Sequence, residues 1–339
     1  MVRRKTHFVF LGGGLKSRLI FREASEHFHF VALVDPTPAG DEGASEMNLP
    51  LYESLRDALN NHKIDGVIVC TTARETIAAS RAAIECQIPM LVVPSKGTSL
   101  DASQDLVAEA KKVMVPLLVG NHRRFHPSVI AAKELITSGG IGTVITAQST
   151  SWFPKSEAKL GDIHWESRQG HLSILNDLID DLDVLRYLLG EVIEISGVTT
   201  SLLRGGSVPS SLGGLLKFEN DVICTVNASD EVVSQANWLL TAGETDKYSK
   251  TGQSCLWIGG SEGTLSIPDL AFWSYGDKDA SWESRLGVKK IKSDSAVSAV
   301  IAELLDFECV IHDKKVPVCS GEDALISMRL IERLYDSLT

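Results

Sequence analysis

A chain of 339 residues is long for one compact core and comfortable for two, and its 44% hydrophobic and 23% charged residues exclude disordered, collagenous and low-complexity classes. Thirty-three Lys and Arg stand against 44 Asp and Glu. The resulting net charge of −11 repels nucleic acid phosphates and anionic lipid, which argues against DNA binding and a membrane-surface role. Cys70, Cys86, Cys224, Cys255, Cys309 and Cys319 are scattered, without a CxxC pair or clustered His. That usage predicts neither a disulfide framework nor a zinc site, and fits a reducing, cytoplasmic setting.

The basic head and apolar run of Met1–Leu11 imitate a signal peptide, but Gly12-Gly13-Gly14 cuts the run short, so it reads as a first strand. Further short apolar runs at His29–Val34, Gly66–Cys70, Met90–Val93 and Leu117–Val119 read as strands. Helix-period stretches separate them, at Leu51–Asn60, Glu75–Glu85 and Ser103–Val113. Buried strands alternating with helices specify a parallel, doubly wound Rossmann-type sheet. After Pro127 come a helix to Ser138, a strand near Thr143–Trp152 and a long helix from about Leu172 to Leu189. Short strands with turn signals run from Glu191 to about Lys292, followed by helices over Val297–His312 and Gly321–Leu338. This second pattern is α+β, a large, mostly antiparallel open sheet with helices on one face.

Strand, Gly12-Gly13-Gly14-Leu15-Lys16-Ser17 and helix form a dinucleotide fingerprint with Ser in the third glycine position. Gly12 permits the tight turn, Gly14 admits a close approach of the pyrophosphate, and the helix beginning near Leu15 aims N–H donors at it. Strand two ends at Asp35, whose carboxylate suits ribose hydroxyls and opposes a 2′-phosphate, so NAD is expected over NADP. Lys16 is a candidate phosphate contact that blurs this preference. Thr71 and Thr72 follow a strand end, where cofactor contacts are expected. The expected division is a nucleotide-binding domain over 1–124 and a substrate-binding and oligomerisation domain over 125–339.

The order of motifs resembles the glucose-fructose oxidoreductase/inositol dehydrogenase (Gfo/Idh/MocA) family along essentially the whole chain. The residues that carry the likeness are the glycine turn, Val31–Asp35, Gly120–Pro127, Asp181–Gly190, Gly260–Pro268 and Ser320–Ala324. The resemblance implies a pyridine-nucleotide oxidoreductase acting on sugars, polyols and related compounds, with substrate between the nicotinamide and the open face of the C-terminal sheet. It also implies a Lys in a Glu-Lys-Pro loop, and an Asp and a His four residues apart on a helix.

Both motifs depart here. The loop reads Val93-Pro94-Ser95, placing proline at the lysine position, with Lys96 two residues later. The helix carries Asn176 at the usual Asp and Asp180 at the usual His, two positions sharing a face, with Asp177 and Asp181 on the adjacent one. A carboxylate at 180 can replace imidazole as general base where burial raises its pKa. The candidate catalytic set is therefore Asp180 with Asn176 orienting substrate, and Lys96 or His171 as second donor. Arg124 is a candidate cofactor contact, equally an interdomain strut, and Asp177, Trp165, Arg168 and Trp152 are candidate substrate contacts. Asp181 and Asp183 read as solvated or structural.

The sequence lacks a GxSxG elbow and paired metal ligands, which sets hydrolase and metal readings aside. Two alternatives to a dehydrogenase stay open, a cofactor-binding regulatory or scaffold protein with a decayed site and a redox-neutral enzyme with tightly held NAD. An imine, ketone or activated alkene from specialised metabolism would suit the altered proton route. An exposed antiparallel sheet face predicts a homodimer or homotetramer through the C-terminal sheet.

Overall fold

The computed structural model describes residues 5–95, 97–155, 173–202, 209–244, 247–276, 282–293 and 297–338. The chain divides into two compact units, one comprising the chain up to Phe125 together with Val297–Ile326, the other the chain from His126 and the residues from Ser327.

The first unit holds β1 (His7–Leu11), α1 (Leu15–Ala24), β2 (His29–Val34), α2 (Pro38–Met47), β3 (Leu51–Tyr52) and α3 (Leu55–Asn61). It continues through β4 (Gly66–Val69), α4 (Ala73–Glu85), β5 (Met90–Val92), α5 (Leu100–Lys112), β6 (Leu117–Val119) and a 3-10 turn at His122–Phe125. The six described strands are parallel in the order β3-β2-β1-β4-β5-β6, with the order reversing between β1 and β4. β1 and β4 are buried along nearly their whole length, as strands covered on both faces must be.

Two elements differ from the sequence expectation. The stretch read as one helix from Leu51 begins as the two-residue edge strand β3, and α3 starts after its cap Ser54. Helix α2 falls in a stretch for which the sequence predicted no element. Its glycines serve packing: a Cβ at Gly43 would stand 2.5 Å from the Gly13 carbonyl, and one at Gly13 2.5 Å from that of Ala39. Only glycine lets the helix cross the turn so closely.

The domain boundary also differs. Helix α9 (Ala299–Asp313), expected with the second domain, belongs to the first unit. Ile301, Leu304, Phe307 and Val310 enter one apolar cluster with Phe8, Phe10, Phe30 and Ile68, and Phe307 stacks on Phe8 at 5.5 Å between ring centroids. Hydrophobic periodicity marks α9 as amphipathic without naming the sheet it covers.

The second unit contains α6 (Pro127–Thr137), β7 (Val144–Trp152), α7 (Ser173–Leu189), β8 (Val192–Thr200), β9 (Ser211–Phe218), β10 (Ile223–Ser229) and the one-turn α8 (Trp238–Thr241). β11 (Leu256–Gly260), β12 (Thr264–Ile267), β13 (Ala271–Ser274) and β14 (Gly287–Lys290) complete its sheet, ordered β14-β13-β12-β11-β7-β10-β9-β8 among the described residues. All pairings are antiparallel except β7 with β10. Helix α10 (Gly321–Ser337) begins in the first unit and ends in the second.

One face of this sheet packs Ala147, Leu216, Cys224, Val226 and Ile258 against Leu178, Leu182 and Leu185 of α7. On alternate positions Leu215, Ile223, Trp273 and Val288 are exposed. Among the described residues, no helix is long and apolar enough to cross a membrane.

Candidate functional site

At the carboxyl end of β1 the backbone turns at Gly12 with φ +99°, where a Cβ would meet the Cys70 carbonyl at 2.7 Å. Gly14 behaves oppositely, since a Cβ there would find nothing within 4 Å. Gly14 is also the N-cap of α1, where no side chain caps the helix and the first turn carries no acid. Open space above a glycine, bounded by a helix N-terminus with exposed N–H donors, has the shape and polarity of an anion cradle. Ser17 is fully buried and donates to the Gly14 carbonyl at 2.7 Å, so it fills the third glycine's packing place.

Asp35 stands beside this cradle. Its Oδ2 accepts from the Gly13 N–H at 2.7 Å, and Oδ1 accepts from the N–H and hydroxyl of Thr37 at 2.9 and 2.7 Å. A carboxylate offers about four acceptor sites, so capacity for a ribose hydroxyl remains. Leu15 is exposed at the first helical position, and the Lys16 ammonium donates to the Pro94 carbonyl, joining the glycine turn to the loop after β5. These residues fit a dinucleotide.

The two threonines are engaged locally. Thr72 caps α4, its N–H and hydroxyl both reaching Glu75, while the Thr71 hydroxyl lies 3.1 Å from that of Thr76. Arg124, expected at the cofactor, is 4% exposed and donates to the Val318 carbonyl at 2.8 Å, with Asp323 3.9 Å away. Within the first unit it is a strut between the turn after β6 and the segment leading into α10.

On α7 the expected cluster separates into two tiers. Asp183 is buried and accepts from Ser327 at 2.9 Å, and Ser327 accepts from Arg186, which also pairs with Glu191. Asp183 is thus structural, as the motif suggested. Asp177 and Asp180 sit half-buried nearer the N-terminal end. Asp177 pairs with Lys155, whose side chain is 13% exposed and whose N–H donates to the Asp230 carbonyl at 2.9 Å. Beside them Phe153 meets the Tyr248 ring edge-on at 5.3 Å.

Lys155 escaped sequence reasoning. Its only signal was a cation just past a strand that ends in Trp152-Phe153-Pro154. Trp152, expected at the substrate, donates from its indole to Asn227 at 2.6 Å, an exposed residue on the sheet face away from α7. Lys96, His171, Trp165 and Arg168 lie outside the described residues, as does the side chain of Asn176.

The second missed residue is Glu303 on α9, 6% exposed. A Cβ built at Gly120 would lie 3.4 Å from its Oε2 and 3.4 Å from Pro94 Cδ, so its carboxyl sits at the ends of β5 and β6. Burial pushes it up to about 8, against the pull of His122 and with the help of Asp306. Its spacing from buried Ala299, Phe307 and Val310 places it on the apolar face of α9, a signal readable in the sequence.

Residues 129–266 match the model of the GFO/IDH/MocA C-terminal domain. Over those residues the chain is similar to the Gfo/Idh/MocA family. Among curated relatives it is 30% identical to an inositol 2-dehydrogenase of Rhizobium meliloti over 48% of this chain and 47% of that protein. It is 27% identical to the uncharacterised oxidoreductase YrbE of Bacillus subtilis over 54% of each. The chain thus spans about half the length of these relatives. An oxidoreductase from Agrobacterium radiobacter, solved with NAD+, L-tartaric acid and magnesium, superposes with a TM-score of 0.77 at 17% identity, covering 98% of this chain and 96% of that one.

Proposed function

We propose that the protein is an NAD-dependent oxidoreductase acting on a hydroxyl or carbonyl carbon of a sugar-like or polyol substrate, or of a specialised metabolite. The observation that carries this reading is the pairing of the open Gly14 cradle with the Asp35 carboxylate at one sheet edge. The inositol 2-dehydrogenase relative and the NAD+-bound structural neighbour support it. Bound NAD would supply a hydride acceptor or donor at its nicotinamide ring. Gly14 and the first turn of α1 hold the pyrophosphate, and Asp35 accepts from the adenine ribose and disfavours a 2′-phosphate.

In the second unit, Asp180 takes the hydroxyl proton at its carboxylate, with Asn176 orienting the substrate. The Lys155 ammonium, held by Asp177, polarises the substrate oxygen. Lys96 and His171 are the second donors to test. The first unit serves the nucleotide, and the second serves substrate and assembly. The exposed apolar positions on its sheet face support a homodimer or homotetramer, and the cytoplasm is the setting that fits six cysteines with no disulfide among them.

The test begins with fluorescence titration by NADH and NADPH and continues with a panel of polyols and aldoses monitored at the nicotinamide absorbance. NADH should bind more tightly than NADPH, and Lys155→Met should lower kcat/KM about 100-fold or more. Absence of binding by either nucleotide overturns the reading. Product formed without net change in NADH would redirect it to redox-neutral chemistry. Light scattering at the monomer mass of 36.8 kDa would refute the assembly.

A further inference from the structure

Glu303 lies in the first unit, at the edge where the nucleotide is proposed to bind, and takes no part in the mechanism above. Its place can be fixed from the sheet order. A dinucleotide lies across the carboxyl ends of the strands, its halves on either side of the point where strand order reverses. Asp35, at the end of β2, marks the adenine side. The nicotinamide side is then β4, β5 and β6, where the Glu303 carboxyl and Pro94 both border the space beside Gly120.

The carboxyl is unusual in its satisfaction as well as its position. Glu303 Oε1 is buried and has no hydrogen-bond partner among the described residues. A buried acid with one oxygen left unsatisfied is biased toward its un-ionised form, and converts to carboxylate when positive charge arrives nearby. The nicotinamide ring carries a positive charge in NAD+ and none in NADH.

We propose that Glu303 is a charge-responsive positioning residue whose carboxyl stays protonated with NADH and gives up its proton to solvent when NAD+ binds. The inference rests on the proposed NAD site. Its proton balance is simple: protonated protein and NAD+ give the carboxylate complex and one proton in solution, whereas protonated protein and NADH give a complex that releases none.

The other titratable groups facing this place are few. His122, on the turn after β6, favours the carboxylate, and Asp306, one turn along α9, opposes it. Cys70, at the end of β4, feels both Lys16 of α1 and Glu303, and its own burial pushes the thiol up to about 12, so it stays neutral. Burial holds the carboxyl near 8 in the free protein, close enough to neutrality for one added charge to ionise it.

The experiment measures proton release on nucleotide binding, by a pH indicator in weak buffer near pH ~7.5 and by calorimetry in buffers of different ionisation enthalpy. Wild type should release up to one proton per NAD+ bound and none per NADH. Its NAD+ affinity should climb with pH, by at most about tenfold per unit, while NADH affinity stays flat. Glu303→Gln should abolish both the release and the climb, whereas His122→Gln should keep them. A purely structural role would alter thermal stability and leave this difference between the two nucleotides unchanged.

If Glu303→Gln releases as many protons as wild type, the assignment to Glu303 is overturned. If it does not fold, wild type still decides, because equal release with NAD+ and NADH refutes the idea. Binding of both nucleotides without release sinks this inference alone, while no binding at all sinks the NAD site with it.

Discussion

The two ends of the parallel sheet carry two acids with opposite treatment. At the amino end Asp65, just before β4, is partly buried, which alone would raise its pKa, yet bonds from the side chain and backbone of His7 and from Lys63 bring it down to about 2. At the carboxyl end Glu303 leaves Oε1 unsatisfied, and burial raises it to about 8. The same sheet thus satisfies its charge fully at one end and leaves it unsettled at the other. Groups invested in stability are paired, and groups poised to respond to a ligand are kept short of partners.

Three substitutions test how cleanly the ends divide, beginning with the largest effect. Gly14→Val places a side chain in open space at the carboxyl edge, so the melting temperature should hold while NADH affinity falls about 100-fold or more, near 3 kcal/mol. A matching loss of stability would show that the cradle is a structural turn. At the amino edge, Asp65→Asn should cost about 2 kcal/mol of stability near neutral pH and leave NADH affinity untouched.

The sign of the Asp65 effect follows from a folded pKa below the unfolded value of 3.8. Its contribution is present above that value and disappears as pH falls through about 2, so wild type and variant should converge in acid, as denaturant midpoints would show. Glu303→Gln mirrors it with the opposite sign. A carboxyl raised from 4.5 to about 8 contributes stability below pH 4.5 that is lost progressively as pH rises through 8. The variant should therefore melt increasingly above wild type from pH ~5 to ~8 and by a constant margin beyond, since the amide never ionises. Parallel melting curves across that range would contradict an un-ionised Glu303.

The legible parts of this molecule are those whose physics is local. β1, β2 and β6 fall where apolar runs placed them, because a strand buried on both faces needs an unbroken run. The glycine turn and Asp35 were legible because each conformational demand maps to a residue type. Helix α2 was hidden because Gly40 and Gly43, poor helix formers, answer close approaches to Asp35 and Gly13 set by tertiary packing. Lys155 was hidden for a related reason: its partner Asp177 stands 22 positions away, and nothing in the intervening sequence announces the meeting. Glu303 was visible as an acid on an apolar helix face, but the sheet end it would reach was not.

The return of α9 to the first unit interrupts that unit with most of the second, and this reorders assembly in time. A ribosome delivers Phe8, Phe10 and Phe30 early, yet their cover, Phe307 and Leu304, emerges only after some 170 residues of another unit. The first sheet must wait with one apolar flank uncovered while the second unit is made, the interval in which such a surface is most exposed to aggregation or to a chaperone. Synthesis runs from one end of the chain to the other, but here pieces delivered late complete the first core begun.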